Sequence, residues 1–191
     1  MCTELRRRGY EVRSWSRSDG VDVGDEAQVE EAFAALPRLD VLVNNAAFLR
    51  TSPVEEMTSE TWDETLRVGL RGAFLCSRGA FRLMREGGAI VMVSSLSGYP
   101  GAEKFPGMSA YVAAKSGLAG LTEALAVEGR ARSIRVNAVS PGSVDTPMLR
   151  LTGVPPQPVL RPEQVASVVG WLASEESAPL SGANLRLDAP G

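Results

Sequence analysis

Apolar residues in this chain follow two rhythms. Short runs such as Asp40 to Asn44 (D-V-L-V-N), Ala89 to Ser94 (A-I-V-M-V-S) and Ile134 to Ala138 are apolar almost throughout. Strands buried on both faces of a parallel sheet read this way. Between them lie longer stretches with helical spacing. One is capped by Asp25 and runs to about Leu36. Another runs from about Ser59 to Glu86 and stops at Gly87-Gly88. A third carries Tyr111 and continues to about Ala131; a fourth opens at Pro162 and reaches about Ser174. Residues 1 to 8 read as the tail of a helix ending at Gly9. Tyr10 to Trp15 alternates and predicts a strand, Val21 to Val23 a very short one, and Asn184 to Asp188 a last one. Ser140-Pro141-Gly142 closes the strand that begins at Ile134, and Pro155 to Pro158 marks a loop. Strands alternating with helices of about ten or more residues predict crossover units around a parallel sheet. Residues 1–191 are therefore expected to form a single doubly wound α/β domain.

Ligands of such sheets bind beyond the carboxyl ends of the strands. Asn44, Ser95 and Pro141-Gly142 lie just past three strand ends, and Tyr111 follows the loop from one of them.

Composition narrows the chemistry. The chain has 191 residues, 44% apolar and 23% charged, which suits one globular domain with a sizeable core. A formal net charge of −3 supplies no basic field, so nucleic acid is not expected as a partner. No apolar run reaches the roughly 18 residues that span a bilayer, and the start lacks a signal-peptide layout. A small-molecule substrate is expected, and a membrane partner is not. Cys2 and Cys76 are too few for a disulfide framework and point to a reducing compartment, read as the cytoplasm. Histidine is absent. That removes Ser-His-Asp and Cys-His triads and imidazole metal sites, and no metal is expected. The remaining candidates are Tyr, Lys, Ser, Asp, Glu or a cofactor.

Tyr111 to Lys115 (Y-V-A-A-K) places a phenol and an ammonium four residues apart, on one helix face. A neighbouring cation favours the phenolate and lowers a tyrosine pKa, which makes the pair a candidate acid/base. Taken alone, the pair reads equally as a surface feature of an amphipathic helix.

Together with N-N-A-A at 44–47, S-S-L-S-G at 94–98 and R-V-N-A-V-S-P-G-S-V-D-T-P at 135–147, this motif gives the chain a resemblance to the short-chain dehydrogenase/reductase family. The pieces come in the family's order and cover nearly all of the chain. The resemblance implies a Rossmann-like fold and carbonyl–alcohol chemistry. Tyr111 would exchange a proton with the substrate oxygen, and Ser95 would orient the carbonyl. Lys115 would lower the Tyr111 pKa and hydrogen-bond the nicotinamide ribose. Pro141, Gly142, Val144 and Thr146 would lie along the nicotinamide. Asp22 and Val23 would meet the adenine, with Asn44 to Ala46 beside its ribose. Ser16-Arg17 stands where an acidic residue would select NAD(H). A cation with no carboxylate beside it suits a 2′-phosphate, so NADP(H) is favoured. Relatives commonly assemble through the long helices, so a homodimer or homotetramer is expected.

Two departures stand out. The family's first strand and glycine-rich turn have no counterpart, since Met1 falls inside the helix that would follow them. The main pyrophosphate site goes with them. The missing strand would lie between Tyr10–Trp15 and Asp40–Asn44; either the sheet closes over the gap, a partner fills it, or the start is not the natural one. Second, W-D-E-T-L-R-V-G-L-R-G-A-F puts Gly69 where relatives carry an asparagine serving the proton relay, and mid-helix glycine costs about 1 kcal/mol relative to alanine. Arg67, Arg71, Arg78, Arg82 and Arg85 read as a solvated or subunit-facing stripe, and Trp62 and Phe74 as core anchors. The leading expectation is an NADP(H)-dependent oxidoreductase on a small carbonyl or alcohol. The alternatives are a cofactor-independent acid/base enzyme performing dehydration, isomerisation or cyclisation, and a non-catalytic partner subunit.

Overall fold

The computed structural model describes residues 1–85, 87–150 and 159–189. The predicted loop Pro155 to Pro158 lies outside them. Four parallel strands, β1 (Val41–Asn44), β2 (Gly88–Val93), β3 (Ile134–Pro141) and β4 (Asn184–Leu187), lie side by side in chain order. The register sets Val43 beside Val91 and Val91 beside Asn137. β2 is buried along its length because its side chains alternate between two covered faces. Ile90 and Met92 enter one core with Val29, Phe33, Leu75, Ala80, Leu118 and Val136. Val91 enters the other with Val139, Val165, Val169 and Leu172.

The helices divide accordingly. α2 (Glu26–Ala34), α4 (Gly72–Leu83) and α5 (Ser109–Gly129) cover the first face; α1 (Cys2–Arg7) and α7 (Pro162–Ala173) cover the second. A short α6 (Pro147–Arg150) follows the end of β3. Asp25 caps α2 by accepting from the Gln28 N–H at 3.1 Å, as its position predicts. The stretch expected as one helix from Ser59 to Glu86 is three segments ending at Leu83. α3 (Ser59–Leu66) and α4 are joined by a π-turn, Arg67–Arg71, centred on Gly69. Among the described residues no helix is long and apolar enough to cross a membrane.

Two predicted strands are not formed. Tyr10 to Trp15 and Val21 to Val23 are irregular. A strand needs a partner for its ladder, and among the described residues Tyr10–Trp15 pairs with none. Between it and β1 lies a cavity of about 850 Å³, lined by Tyr10 to Trp15 on one wall and Leu39 to Asn44 on the other. The sheet does not close over the gap. Asp40 accepts from the Ala89 N–H at 3.0 Å, so strand alternation turns the backbone groups of Val41 and Val43 into that cavity. β3, by contrast, is paired on both sides and runs three residues past its expected end at Ala138, to Pro141.

The arginine stripe is partly solvated, as expected, but Arg71, Arg78 and Arg82 are also paired within the chain. Arg71 and Arg78 both bind Glu26, at 3.1 and 2.6 Å, and Arg78 and Arg82 both reach Glu30. It stitches α4 to α2. Trp62 and Phe74 are not core anchors: they are 38% and 43% exposed, on the outer side of the α3–α4 stretch. Helical spacing alone does not say which of two apolar stripes faces inward, and α4 has apolar residues on both.

Candidate active site

At its carboxyl end, β2 delivers Ser94 and Ser95 to a short 3-10 turn, Leu96–Gly98. Ser95 caps this turn, its hydroxyl accepting from the Ser97 N–H at 3.1 Å. The turn is pinned to α5 from three directions. Ser94 Oγ donates to the Lys115 carbonyl at 2.8 Å, and Ser116 Oγ donates to the Gly98 carbonyl at 3.1 Å. A Cβ on Gly98 would stand 2.5 Å from the Lys115 carbonyl carbon, so only glycine allows this approach. Ser94, Gly98 and Ser116 escaped the sequence reading as positioning residues. Their signal was present in S-S-L-S-G and in the small residues after Lys115.

These contacts bring Ser95, Tyr111 and Lys115 together. The Ser95 side chain faces the Tyr111 phenol and favours its ionised form. Lys115 Nζ sits 5.6 Å from the centre of the Tyr111 ring and donates to the Val93 carbonyl at 2.7 Å. The lysine is 3% exposed. Burial pulls it down to about 8, because a desolvated ammonium is costly. Burial also pushes the Tyr111 phenol above its ordinary value, with Ser95 opposing. The phenol is therefore not lowered as expected: burial is the largest influence on both groups, and Ser95 is what opposes it at Tyr111. Gly69 lies against the same helix, its Cβ position 3.3 Å from the Ala114 methyl.

The remaining predicted residues fall into two groups. Pro141 ends β3, Gly142 donates its N–H to the Leu187 carbonyl at 2.8 Å, and Val144 forms a bridge with Leu160. Thr146 Oγ1 reaches the Val144 carbonyl at 3.3 Å. The polar residues just upstream are structural. Arg135 caps the end of α7 through the Leu172 and Ser174 carbonyls, and Asn137 holds the Leu180 carbonyl and the Ala183 N–H. Arg17, Asp22, Val23, Asn44 and Ala46 form the second group, all lining the cavity beside β1, which Ser95, Tyr111 and Lys115 do not touch. Asn44 donates to Ser77 Oγ at 3.1 Å. The Asp22 carboxylate accepts from the Gly24 N–H and from Arg67, both at 2.8 Å, and the guanidinium holds it below the usual carboxylate range. Arg17 is not free of carboxylates, as expected from sequence, but meets Glu64 at 3.4 Å. Local sequence around Arg17 could not show this, because Glu64 comes from α3.

A doubly wound parallel sheet with a serine, a tyrosine and a lysine gathered at one strand end defines an α/β enzyme of carbonyl–alcohol redox chemistry. Residues 19–189 match a family model described as enoyl-(acyl carrier protein) reductase. The chain is 37% identical over 172 residues to 3-oxoacyl-(acyl-carrier-protein) reductase FabG of Thermotoga maritima, covering 84% of this chain and 69% of that one. It is 38% identical over 198 residues to cis-4-hydroxycyclohexanecarboxylate dehydrogenase of Sinomonas cyclohexanicum, covering 96% and 78%. A variant short-chain dehydrogenase/reductase of Serratia marcescens superposes with a TM-score of 0.78 at 32% identity, over 88% of this chain and 74% of that one. The chain belongs to the short-chain dehydrogenase/reductase family of nicotinamide-dependent oxidoreductases.

Proposed function

We propose that the chain reduces a small ketone to the alcohol with NADP(H), Tyr111 acting as the proton donor. The observation that carries this reading is the buried Lys115 ammonium 5.6 Å from the Tyr111 ring, with Ser95 on the phenol. The substrate oxygen accepts from Ser95 and from Tyr111, and this pair fixes the carbonyl plane. A phenol held above its ordinary pKa is fully protonated at neutral pH, the form needed to give a proton to a developing alkoxide. A bound nicotinamide supplies the hydride. Tyr111 releases its proton to the oxygen and recovers one from solvent past Lys115, whose pKa of about 8 lets it hand protons on near neutrality.

The described residues fit the two ends of the cofactor, and no glycine-rich turn stands among them for its pyrophosphate. Lys115 would hold the nicotinamide ribose, and Pro141, Gly142, Val144 and Thr146 would line the ring side. The cavity mouth at Arg17, Asp22, Val23, Asn44 and Ala46 takes the adenosine. Glu64 is already held by Arg67 at 2.6 and 3.0 Å, so the longer Arg17 contact is the one a 2′-phosphate would displace. That favours NADP(H) over NAD(H). The names of the relatives favour cyclic or β-oxo substrates. The exposed apolar groove between α4 and α5, where Leu70, Phe74, Gly117 and Leu121 meet, suits a homodimer or homotetramer. Two free cysteines suit a reducing cytoplasm.

The test is NADPH oxidation with cyclic ketones and acetoacetyl esters, repeated with NADH and with Arg17→Ala. The proposal expects turnover with NADPH, and a selective loss of affinity for it in Arg17→Ala. A second reading, cofactor-independent acid/base work at the same trio, draws on the fact that Ser95, Tyr111 and Lys115 assemble without any residue of the β1 cavity. Isomerisation without nucleotide, abolished by Tyr111→Phe, would favour it.

A further inference from the structure

Lysine is rare in this chain. Of its 20 basic residues only Lys104 and Lys115 are lysines, and both belong to the stretch that carries Ser95 and Tyr111. Lys115 is buried beside the Tyr111 ring, whereas Lys104 is exposed on the loop between Ser95 and Tyr111. Although exposed, its side chain turns back over the turn that Ser95 opens. Nζ donates to the Tyr99 carbonyl at 2.7 Å and to the Leu96 carbonyl at 3.5 Å. An ammonium has three N–H donors, so one is left over. Carbonyls supply no counter-charge, and among the described residues no carboxylate pairs with Lys104. Glu103, next to it in the chain, is exposed and does not bind it. Neighbouring cations are placed differently: Arg186 donates to Asp188 at 2.6 Å, and Arg17 meets Glu64 at 3.4 Å. Arg50, on the loop after β1, is like Lys104 in being exposed and without an ion pair among the described residues. The two loops are joined, because the Ser52 N–H donates to the Gly107 carbonyl at 2.9 Å.

We infer that Lys104 selects substrates that carry a carboxylate a few bonds from the ketone, with Arg50 adding positive charge from the neighbouring loop. The inference rests on the proposed reduction and names its substrate class. Covalent geometry sets the reach. Leu96 follows Ser95, so the ammonium lies no more than about 12 Å from the Ser95 hydroxyl. Hydrogen bonds of about 3 Å at both ends leave at most about 6 Å between ketone oxygen and carboxylate. A carboxyl carbon about three or four bonds from the ketone carbon fits that span. Such a group displaces no ion pair: Lys104 keeps its carbonyls and adds a charge-assisted bond through its third N–H.

The test compares 3-oxocyclohexanecarboxylate with its methyl ester, which keeps the ketone and loses the charge. With NADPH the acid should have the higher kcat/KM, by about three- to tenfold. Lys104→Met should collapse that ratio by raising KM for the acid. A turn merely loosened by the substitution would lower acid and ester alike. Lys104→Arg should keep most of the preference. A second readout needs no turnover: N-acetoxysuccinimide labels the exposed Lys104 ahead of the buried Lys115, and peptide mass mapping follows each. With NADP+ present, the acid should slow labelling of Lys104 severalfold, and the ester should not. Acid and ester equal in kcat/KM within about twofold, or labelling that the acid does not slow, overturns the inference even where ketones are reduced. If no ketone turns over while the acid still protects Lys104, the reduction fails and the carboxylate site stands. Loss of both readouts overturns both.

Discussion

The two flanks of β2 behave in opposite ways. On the β3 side every element has a neighbour to answer it: β3 pairs twice, Arg135 and Asn137 tie down the connections to β4, and Ser94 and Ser116 fasten the turn after β2 to α5. On the β1 side the ladder stops, Tyr10 to Trp15 stays irregular, and an 850 Å³ cavity stands in between. The proposed acid/base trio sits on the finished flank, and the adenosine contacts on the unfinished one. Proton transfer at Tyr111 and adenosine binding at Arg17 and Asp22 should therefore respond differently to mutation, whereas Lys115 serves both ends of the reaction.

The sharpest break comes from Lys115→Met. It removes both the ribose donor and the proton route, and should cut kcat/KM by about 100-fold or more in steady-state assays. A smaller loss would place Lys115 among structural residues. Gly98→Ala attacks the packing of the finished flank. Its new methyl meets the α5 backbone at Lys115, and urea unfolding should show a loss of about 1–3 kcal/mol.

Next is the pH dependence that Lys115 imposes. Its folded pKa of about 8 lies below the ordinary 10.5, so between these values the unfolded chain binds more protons. Stability should then rise with pH across that window, by up to about 1 kcal/mol per unit, and Lys115→Met should flatten the rise. Tyr111 is shifted the other way and acts only above its ordinary value of 10.0, where it lowers stability. Urea midpoints from pH 7.5 to 10 separate the two. The smallest effect belongs to the unfinished flank. Asp22→Asn loosens a partly exposed pair with Arg67 and should cost about 1 kcal/mol or less, with a clearer loss in nucleotide affinity by titration.

What the sequence revealed follows the same division. β2, β3, α5 and α7 were legible because local pattern and tertiary burial agree there. Tyr10 to Trp15 was misread because alternation reports propensity, whereas a strand also needs a partner. Trp62 on α3 and Phe74 on α4 were misread because helical spacing does not say which apolar side turns inward; only the fold does. The arginine pairs were hidden because Glu26 and Glu30 lie some 50 residues earlier, out of reach of any local pattern. Ser95, Tyr111 and Lys115 were legible as candidates. That burial shifts Tyr111 and Lys115 was not, since it depends on how α5 packs against the end of β2.

The most direct test of the central claim is the rate of Tyr111→Phe with NADPH and a cyclic ketone, with circular dichroism to establish the fold. The account predicts native spectra and a kcat lower by about 10²–10⁴, with KM little changed. A variant that folds and turns over at the native rate would contradict it.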